Sequence, residues 1–372
     1  MDHEFWDPAE AEALRQRHRA ELAAKSNGIA GNNRILIQRG DELPMEKIEW
    51  LWPGWLARGK FHLLAGNKGA GKSTVLFDLM ARLTTQRKWP DGTQAPPGEV
   101  MIWSGEDAIK DTILPRFFAA GGERARIHFP TTTLVDGEKR PFDPSIDMDM
   151  LINAVAALPE LLFVVIDPVV MALPSRSDSH KNTETRRGLQ PLVDFAEQRG
   201  IAVMGVSHFS KGTQDRDPVE RVTGSLAFGA LPRCIWGASA NEDGYQRRLV
   251  RIASNIGPSG GGFEYTLFQA PLPGHDFSAQ RVDWGAQLKG SARELLDAAK
   301  GSAEAEARAF LTTFLSDGAK PQHEVEEAAK ANCHSWATIR RAKEKLGIKP
   351  EKKGKTWVWE LPTVEMSTFN RQ

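Results

Sequence analysis

The chain has few cysteines: Cys234 and Cys333 are the only two in 372 residues. They lie far apart in the sequence and match no metal-binding spacing, and we expect no structural disulfide between them. Because disulfides are rare where thiols are kept reduced, this usage predicts a cytoplasmic protein.

Long hydrophobic runs are also absent. No apolar run approaches about 18 residues, so the sequence predicts neither a membrane span nor a membrane partner. The first residues, Met1 to Glu4, include two acids and lack the apolar stretch of a signal peptide. No repeat with a period of roughly 20–50 residues is found, which argues against a repeat architecture.

Net charge is the third absence, since 48 basic residues balance 48 acidic ones. The chain is 41% hydrophobic and 26% charged, which is typical of a soluble globular protein and excludes a mainly disordered one. A nucleic-acid partner would therefore have to bind at local basic patches, because the whole molecule carries no charge that attracts it.

Apolar runs and helical patterns alternate through the first three quarters of the chain. Buried strands are predicted at residues 61–65, 100–103, 162–166 and 201–206. Helical patterns lie near residues 73–86, 107–120, 146–157 and 184–199. This alternation predicts an α/β domain with a mostly parallel sheet, and later strands near 234–238, 247–253 and 263–268 predict antiparallel pairs at one edge.

The composition divides the chain into four predicted parts. These are an N-terminal helix and lead-in (1–40), an α/β core (41–270), a linker (271–290) and a C-terminal domain with a tail (291–372). Within the last part, helical patterns at 304–316, 322–331 and 335–346 precede a strand-like tail, which predicts a small α+β winged helix-turn-helix. The helix near residues 8–25 either docks on a neighbour or stays solvated, and we favour the second.

A phosphate-binding sequence follows the first predicted strand. Residues 66–73 read Gly-Asn-Lys-Gly-Ala-Gly-Lys-Ser and fulfil the pattern G-x-x-x-x-G-K-[ST]. Glycines permit close backbone approach, so backbone N–H groups and the helix N-terminus can face phosphate oxygens. A plain glycine-rich loop is the alternative, which the flanking strand and helix disfavour. The sequence thus predicts an ATP site formed by Gly66, Asn67, Lys68, Gly69, Ala70, Gly71, Lys72, Ser73 and Thr74.

Two carboxylates are predicted to complete this site. Asp167 ends an apolar strand, as a Walker B aspartate does, and would hold Mg²⁺ together with Ser73, while Lys72 reaches the β- and γ-phosphates. Glu106 follows the strand at 100–104 and is the candidate group for activating water. The alternatives are an aspartate that only ends a strand, and an acid that only favours a helix N-terminus, which Asp107 fits better than Glu106.

His208 follows the strand at 201–206, so it is expected on the same edge of the sheet as the phosphate site. From there it could donate a hydrogen bond to the γ-phosphate and report hydrolysis to the loop behind it. A structural role is the alternative for a lone histidine.

Taken in order, these motifs resemble those of RecA-type ATPases. More closely, the chain resembles the RepA-like hexameric helicases and related ATPases of plasmids, phages and integrated elements. The resemblance runs from about Trp50 to Phe268 and rests on Trp50–Gly54, Trp89–Gly92, Ser104–Asp107, Ile166–Pro168, His208 with Ser210-Lys211, and Gly224-Ser225. It implies a RecA-like ATPase core.

The resemblance also implies roles for single residues. Glu106 would be the catalytic base, and His208 would couple phosphate to DNA. The family forms rings, which implies a homo-hexamer in which a neighbour's arginine completes each site. Arg221 is our first candidate for that arginine, Arg233 the second and Arg251 the third; for each, a surface or salt-bridged arginine is the alternative.

Two polar loops, 175–182 and 210–217, follow strands of the predicted sheet. In RecA-type rings the corresponding loops line a pore and grip single-stranded DNA, which implies phosphate contacts by Arg176, Lys181, Lys211 and Arg216. Both loops also carry aspartate, which weakens the electrostatic argument, and a solvated loop is the alternative.

The C-terminal segment 335–355 is strongly basic, with eight lysines and arginines against two glutamates. A helix capped by Ser335 would turn Ile339, Ala342 and Leu346 inward and its basic residues outward. This arrangement is typical of a recognition helix and a wing that contact DNA through Arg340, Arg341, Lys343, Lys353 and Lys355. The alternative is a protein-interaction domain with a solvated basic face.

These features favour an ATP-driven DNA motor, a ring-forming replicative helicase of a mobile element. A DNA-bound regulatory or initiation ATPase, which uses ATP as an assembly switch without unwinding, is the alternative. A small-molecule kinase is disfavoured, because it explains neither His208 nor the basic C-terminal segment.

Overall fold

The structure is a computed structural model that describes residues 13, 16–17, 35, 37–174, 182–210, 213, 216–222, 227–241, 246–332, 334–354 and 356–362. For residues 182, 227 and 298–306 it describes the backbone alone. The chain divides into two compact units, residues 1–47 and 48–372. Residues 13, 16 and 17 are helical, and the rest of the helix predicted near 8–25 lies outside the described residues.

The strands of the described chain are, in order, β1 (Trp50–Trp52), β2 (Leu56–Ala57), β3 (Phe61–Gly66), β4 (Glu99–Ser104), β5 (Ile127–His128), β6 (Thr132–Val135), β7 (Glu138–Pro141), β8 (Leu161–Asp167), β9 (Ala202–Val206), β10 (Cys234–Ala240), β11 (Arg247–Ser254), β12 (Gly262–Pro271), β13 (Ser278–Leu288), β14 (Lys320–Pro321), β15 (Glu351–Lys353) and β16 (Thr356–Trp359).

The α-helices are α1 (Lys72–Thr84), α2 (Leu114–Ala119), α3 (Met148–Ala154), α4 (Asn182–Arg199), α5 (Ala227–Ala230), α6 (Ala292–Phe314), α7 (Gln322–Ala331) and α8 (Trp336–Lys345). A π-helical turn, Ile109–Ile113, leads into α2, and 3₁₀ turns occur at Gly40–Glu42, Arg124–Arg126, Val155–Ala157 and Val169–Ala172. None of the described helices is long and apolar enough to cross a bilayer.

Nine of the described strands form the main sheet, in the order β13-β12-β11-β10-β3-β9-β8-β4-β5. All pairs from β10 to β5 are parallel, whereas β10 to β13 pair antiparallel. The predicted α/β class with a mostly parallel sheet is therefore confirmed, as are the antiparallel pairs at one edge. Because parallel strands share a direction, the carboxyl ends of β3, β4, β8 and β9 meet along one edge of the sheet.

Both faces of the sheet are covered, as a mostly parallel sheet requires. One face packs against α1, which buries Leu76, Leu79 and Leu83, and against a cluster of tryptophans. Trp52 stacks on Trp55 with ring centroids 4.7 Å apart. The other face packs against α3, α4 and the start of α6. Two buried layers therefore fix the sheet on which the site is built.

The predicted linker at 271–290 is wrong for most of its length. Residues 278–288 form β13, which pairs along β12 from Pro271–Ser278 to Gly262–Leu288. Leu272 to Phe277 connect these strands, and the segment Pro271 to His275 caused the linker prediction. The helix predicted at 304–316 is also longer, since α6 begins at Ala292 behind a Ser291–Glu294 capping box.

The C-terminal part has its own small core. The second half of α6, together with α7 and α8, surrounds Leu311, Val325, Ile339 and Trp359. The strands β14, β16 and β15 form a three-stranded antiparallel sheet beside these helices. The predicted helices at 322–331 and 335–346 match α7 and α8 closely because amphipathic spacing and the Ser335 cap mark their bounds.

Candidate functional site

The phosphate loop joins the buried strand β3 to helix α1, and glycine is required at three of its positions. Gly69 and Gly71 have φ angles of +79° and +84°, a region that other residues rarely adopt. At Gly66 an added Cβ would lie 2.2 Å from the Ala238 carbonyl oxygen, and at Gly71 it would lie 2.6 Å from Leu267 Cδ1. At Gly69 an added Cβ would meet nothing within 4 Å, so glycine is required there for its φ angle and not for space.

Hydrogen bonds from neighbouring strands hold the loop in place. The Tyr265 hydroxyl on β12 donates to the Ala70 carbonyl at 2.6 Å, and both groups are buried. The Phe209 N–H donates to the Gly66 carbonyl at 3.2 Å, and the Asn67 N–H donates to Ala238 at 3.2 Å. Tyr265 escaped the sequence analysis because it lies almost 200 positions away, on a strand that no motif marks.

Lys72 is the buried cation of the site, with 7% of its surface exposed. Its Nζ donates to the carbonyls of Gly66 and Asn67 at 3.4 and 3.3 Å. Burial lowers the pKa of Lys72, and the charges of Asp167 and Glu106 oppose this shift. A phosphate placed here would find a poorly solvated ammonium, which interacts with it more strongly than an exposed one.

Ser73 and Asp167 meet at the start of α1 and the end of β8. The Ser73 hydroxyl donates to Asp167 Oδ2 at 2.7 Å. Burial raises the pKa of Asp167, while the hydrogen bond from Ser73 lowers it. A hydroxyl and a carboxylate are the hard oxygen donors that Mg²⁺ takes beside phosphate oxygens, so the two residues fit this ion.

Glu106 and Asp107 have different surroundings, although they are adjacent at the end of β4. Their N–H groups donate to Ser104 Oγ at 3.2 and 2.9 Å, which fixes the turn. Asp107 lies 3.5 Å from Arg116, whereas within the described residues the exposed Glu106 carboxylate has no hydrogen-bond partner. The charge of Glu106 raises the pKa of both Lys72 and Asp167, whereas the charge of Asp107 is felt at Asp167.

His208 follows β9, and its Nδ1 lies 3.3 Å from Lys72 Nζ. Desolvation and, to a smaller extent, the charge of Lys72 lower the pKa of His208, which favours the neutral ring. An ammonium can only donate hydrogen bonds, so Nδ1 must accept and the ring proton must lie on Nε2. The histidine therefore offers one N–H donor beside the loop.

Arg221, the first candidate for an arginine supplied to a neighbouring subunit, is engaged within its own chain. It is 5% exposed, and its Nη2 lies 3.1 Å from Asp297 Oδ1 within the same chain. Its Nε donates to the Arg216 carbonyl at 3.1 Å. An arginine that is already buried and paired cannot reach another subunit without breaking this pair.

The other two arginine candidates differ in exposure. Arg251 is half-buried, lies over Trp55 at 4.7 Å and donates to the carbonyls of Gly54 and Gly260. Arg233 is exposed at the amino end of β10 and donates its N–H to Phe61. Since β10 runs parallel to β3, Arg233 lies at the opposite end of the sheet from its own phosphate loop.

The Thr74 side chain is engaged within the chain, so a nucleotide contact by Thr74 would have to come from its backbone N–H in the first turn of α1. Its buried hydroxyl donates to Gln280 Oε1 on β13 at 3.1 Å, so it joins α1 to the edge strand. Neither Gln280 nor Tyr265 carries a sequence signal, because both act through contacts distant in sequence.

The predicted DNA contacts are spread over two regions. Arg176, Lys181, Lys211 and Lys355 lie outside the described residues. Arg216 is exposed in the loop after β9, and Arg340, Arg341 and Lys353 are exposed on α8 and β15. Lys343 is half-buried, and its Nζ lies 5.3 Å from the Trp359 ring centre, which makes it part of the packing of α8.

Comparison with known proteins gives similarities to AAA and RecA-type proteins. Residues 34–214 match a family described as AAA domain. The DNA repair protein RadA of Brucella abortus (strain 2308) is 27% identical over 218 residues, or 58% of this chain and 41% of RadA. RadA of Escherichia coli (strain K12) is 24% identical over 193 residues, or 50% of this chain and 37% of RadA. The chain thus spans about two fifths of the length of these curated relatives.

Among solved structures, the RadB recombinase is 14% identical, with a TM-score of 0.39 over 57% of this chain and 88% of that one. The order of the strands, the geometry of the phosphate loop and the AAA and RadA similarities together support a RecA-type P-loop ATPase core.

Proposed function

We propose that the protein hydrolyses ATP with Mg²⁺ and uses the free energy of hydrolysis to unwind DNA. It would act as a ring-forming replicative helicase of a plasmid, phage or integrated element. The observation that carries the ATPase part is the meeting of Lys72, the Ser73–Asp167 pair, Glu106 and His208 at one edge of the sheet. The sequence motifs lie up to 142 positions apart, from Gly66 to His208, and the fold brings them together.

Each residue has a distinct role in this proposal. Lys72 neutralises phosphate charge in a desolvated pocket, and the loop N–H groups bind phosphate oxygens. Ser73 and Asp167 would hold Mg²⁺, which supplies further charge neutralisation when bound. Glu106 accepts a proton from the attacking water, because its carboxylate is exposed and not paired with Arg116. His208 donates from Nε2 to the phosphate side.

DNA binding is supported by the C-terminal module, which consists of the second half of α6, the helices α7 and α8 and the sheet β14-β16-β15. It is also supported by relatives described as DNA repair proteins. Helix α8 exposes Arg340 and Arg341, and β15 exposes Lys352 and Lys353. A basic helix beside a small basic sheet suits duplex DNA, with the helix in the major groove and the strands on phosphates. The loops after β8 and β9 remain the predicted contacts for single-stranded DNA.

The ring is proposed as a homo-hexamer with one site per interface. Arg233 takes the place of Arg221 as the arginine given to a neighbour, because it is exposed and cannot serve its own phosphate loop. Such an arginine is worth about 10³–10⁵ in rate where it occurs. The protein is expected to act in the cytoplasm.

A regulatory ATPase is the second candidate, and the C-terminal module favours it. A winged helix that holds duplex DNA would serve an assembly switch at an initiation site as well as it serves a motor. This protein would bind ATP and DNA and oligomerise, but it would not separate strands.

The experiment that tests the proposal is ATP hydrolysis by the purified protein without DNA, with single-stranded DNA and with duplex DNA. Lys72→Ala and Glu106→Gln are the controls, and both should abolish hydrolysis. Stimulation by single strands supports the motor, and strand displacement should then be detectable. Stimulation by duplex alone, or none despite ATP-dependent assembly, would refute the helicase and favour the switch. No hydrolysis under any condition would refute the motor, and the absence of ATP-dependent assembly as well would refute the switch.

A further inference from the structure

Helix α6 belongs to two hydrophobic cores at once. Near its start, Ala292, Leu295 and Leu296 pack into the core beneath the main sheet. Near its end, Leu311 packs into the core of the C-terminal module. With a rise of about 1.5 Å per residue, the helix is about 34 Å long. Because it is continuous, a shift at its first turns must move the module at its other end.

Two arginines hold the start of α6 against the sheet side. Arg248 donates from Nη1 to the Leu295 carbonyl at 3.1 Å, and its Nη2 lies 3.2 Å from Glu264 Oε1. Arg221 Nη2 contacts Asp297 Oδ1 at 3.1 Å. Arg221 is buried, and Asp297 is its one carboxylate partner in the part of the chain that the structure describes, so losing Asp297 would leave a poorly solvated charge. The Arg221–Asp297 pair is therefore a strong constraint on the position of α6.

Arg221 is also tied to the phosphate loop. The Ser210 N–H donates to the Arg221 carbonyl at 2.7 Å. The preceding residue, Phe209, donates its N–H to the Gly66 carbonyl at 3.2 Å. His208, which precedes Phe209 in the chain, contacts Lys72. Three consecutive residues thus connect the buried lysine of the site to the arginine that grips α6.

We propose that Arg221 and Asp297 are a positioning pair that transmits the state of the phosphate site to the C-terminal module. A phosphate group that takes Lys72 as its partner competes with His208 for that ammonium. The strand end at 208–210 then shifts, and Arg221 carries the shift to Asp297 on α6. The inference rests on the proposed nucleotide binding at Lys72, but not on helicase activity.

The test is hydrogen exchange of the full-length protein with Mg²⁺, without nucleotide and with a non-hydrolysable ATP analogue. In the wild type we expect amides of α6 and α8 to exchange at rates that differ at least about fivefold between the nucleotide-free and the nucleotide-bound protein, the lower end of usual coupling. Asp297→Ala should abolish this difference, and Asp297→Glu should restore it. Asp297 is 46% exposed, so these variants should fold.

The matched control is Arg293→Ala, which removes an exposed charge from the same stretch of α6 and should keep the wild-type difference. Nucleotide affinity is measured separately by fluorescence titration. If the wild-type protein binds nucleotide but hydrogen exchange in α6 does not change on binding, the Arg221–Asp297 pair has no coupling role. An Asp297→Ala protein with the full difference would overturn the inference as well. Failure of the wild type to bind nucleotide would instead refute the ATP site, and the coupling with it.

Discussion

Replacing Tyr265 by phenylalanine tests whether a distant strand positions the phosphate loop. The change removes one oxygen and nothing else, because the ring stays in its buried place beside Trp284. The Ala70 carbonyl then loses the donor that now lies 2.6 Å away. A buried acceptor left without a partner costs about 1–3 kcal/mol. We expect the free energy of unfolding to fall by that amount.

The same loss should weaken nucleotide binding. Ala70 lies inside the loop, so loss of the hydrogen bond also destabilises the loop conformation that binds phosphate. If about 1.4 kcal/mol of it appears in binding, the dissociation constant for ATP rises about tenfold. Urea denaturation and titration of a fluorescent ATP analogue measure the two quantities on the same preparation.

Ile201→Val is the matched control for this experiment. Ile201 is buried just before β9, at the opposite end of the sheet from the phosphate loop. The substitution should cost about 0.5–1.5 kcal/mol of stability and leave nucleotide affinity unchanged. If Tyr265→Phe loses stability but binds ATP as the wild type does, Tyr265 stabilises the fold without positioning the loop. That result would refute our reasoning.

Three further substitutions test other parts of the site and fold. Gly71→Ala should lower ATP affinity at least about tenfold in a folded protein, because alanine is strained at φ +84° and its Cβ would meet Leu267. Unchanged affinity in a titration would contradict the loop geometry. Glu106→Gln should retain ATP binding while hydrolysis falls at least about 100-fold, and near-normal turnover would exclude Glu106 as the base. Burial lowers the pKa of His62 to about 4, so the folded chain binds fewer protons than the unfolded one, and stability should fall by up to about 3 kcal/mol as pH drops from about 6.5 to 4. His62→Gln should flatten that slope in denaturation curves, and a slope equal to the wild type would assign it to other groups.

The sequence predicted the parts of the fold whose signals are local. Strands β3, β4, β8 and β9 were recognisable as short apolar runs, and their polar ends marked the site. The loop glycines and Lys72 form a contiguous motif, so their position followed directly. Helix α8 was recognisable from the cap and the amphipathic spacing.

What the sequence did not predict depends on distant contacts. Strand β13 has exposed charges and a proline-glycine turn before it, so its local pattern is that of a linker, and pairing with β12 makes it a strand. Nothing local marked Gln280 as the acceptor for the Thr74 hydroxyl, because the two residues lie 206 positions apart. A salt-bridged Arg221 was one of the alternatives, but nothing near it in the sequence indicated Asp297 as its partner.

The two outer strands of the main sheet, β5 and β13, also determine how copies of this chain can associate. At one end β5 contributes only two residues, and at the other β13 exposes Arg281 and Asp283 and is covered in part by α1 and α2. Very short or charged outer strands resist pairing with a strand from another molecule. A second copy would therefore meet this chain through loops, helices and side chains. In such an assembly the contacts are free to slide or rotate between nucleotide states, which a continuous intermolecular sheet would prevent.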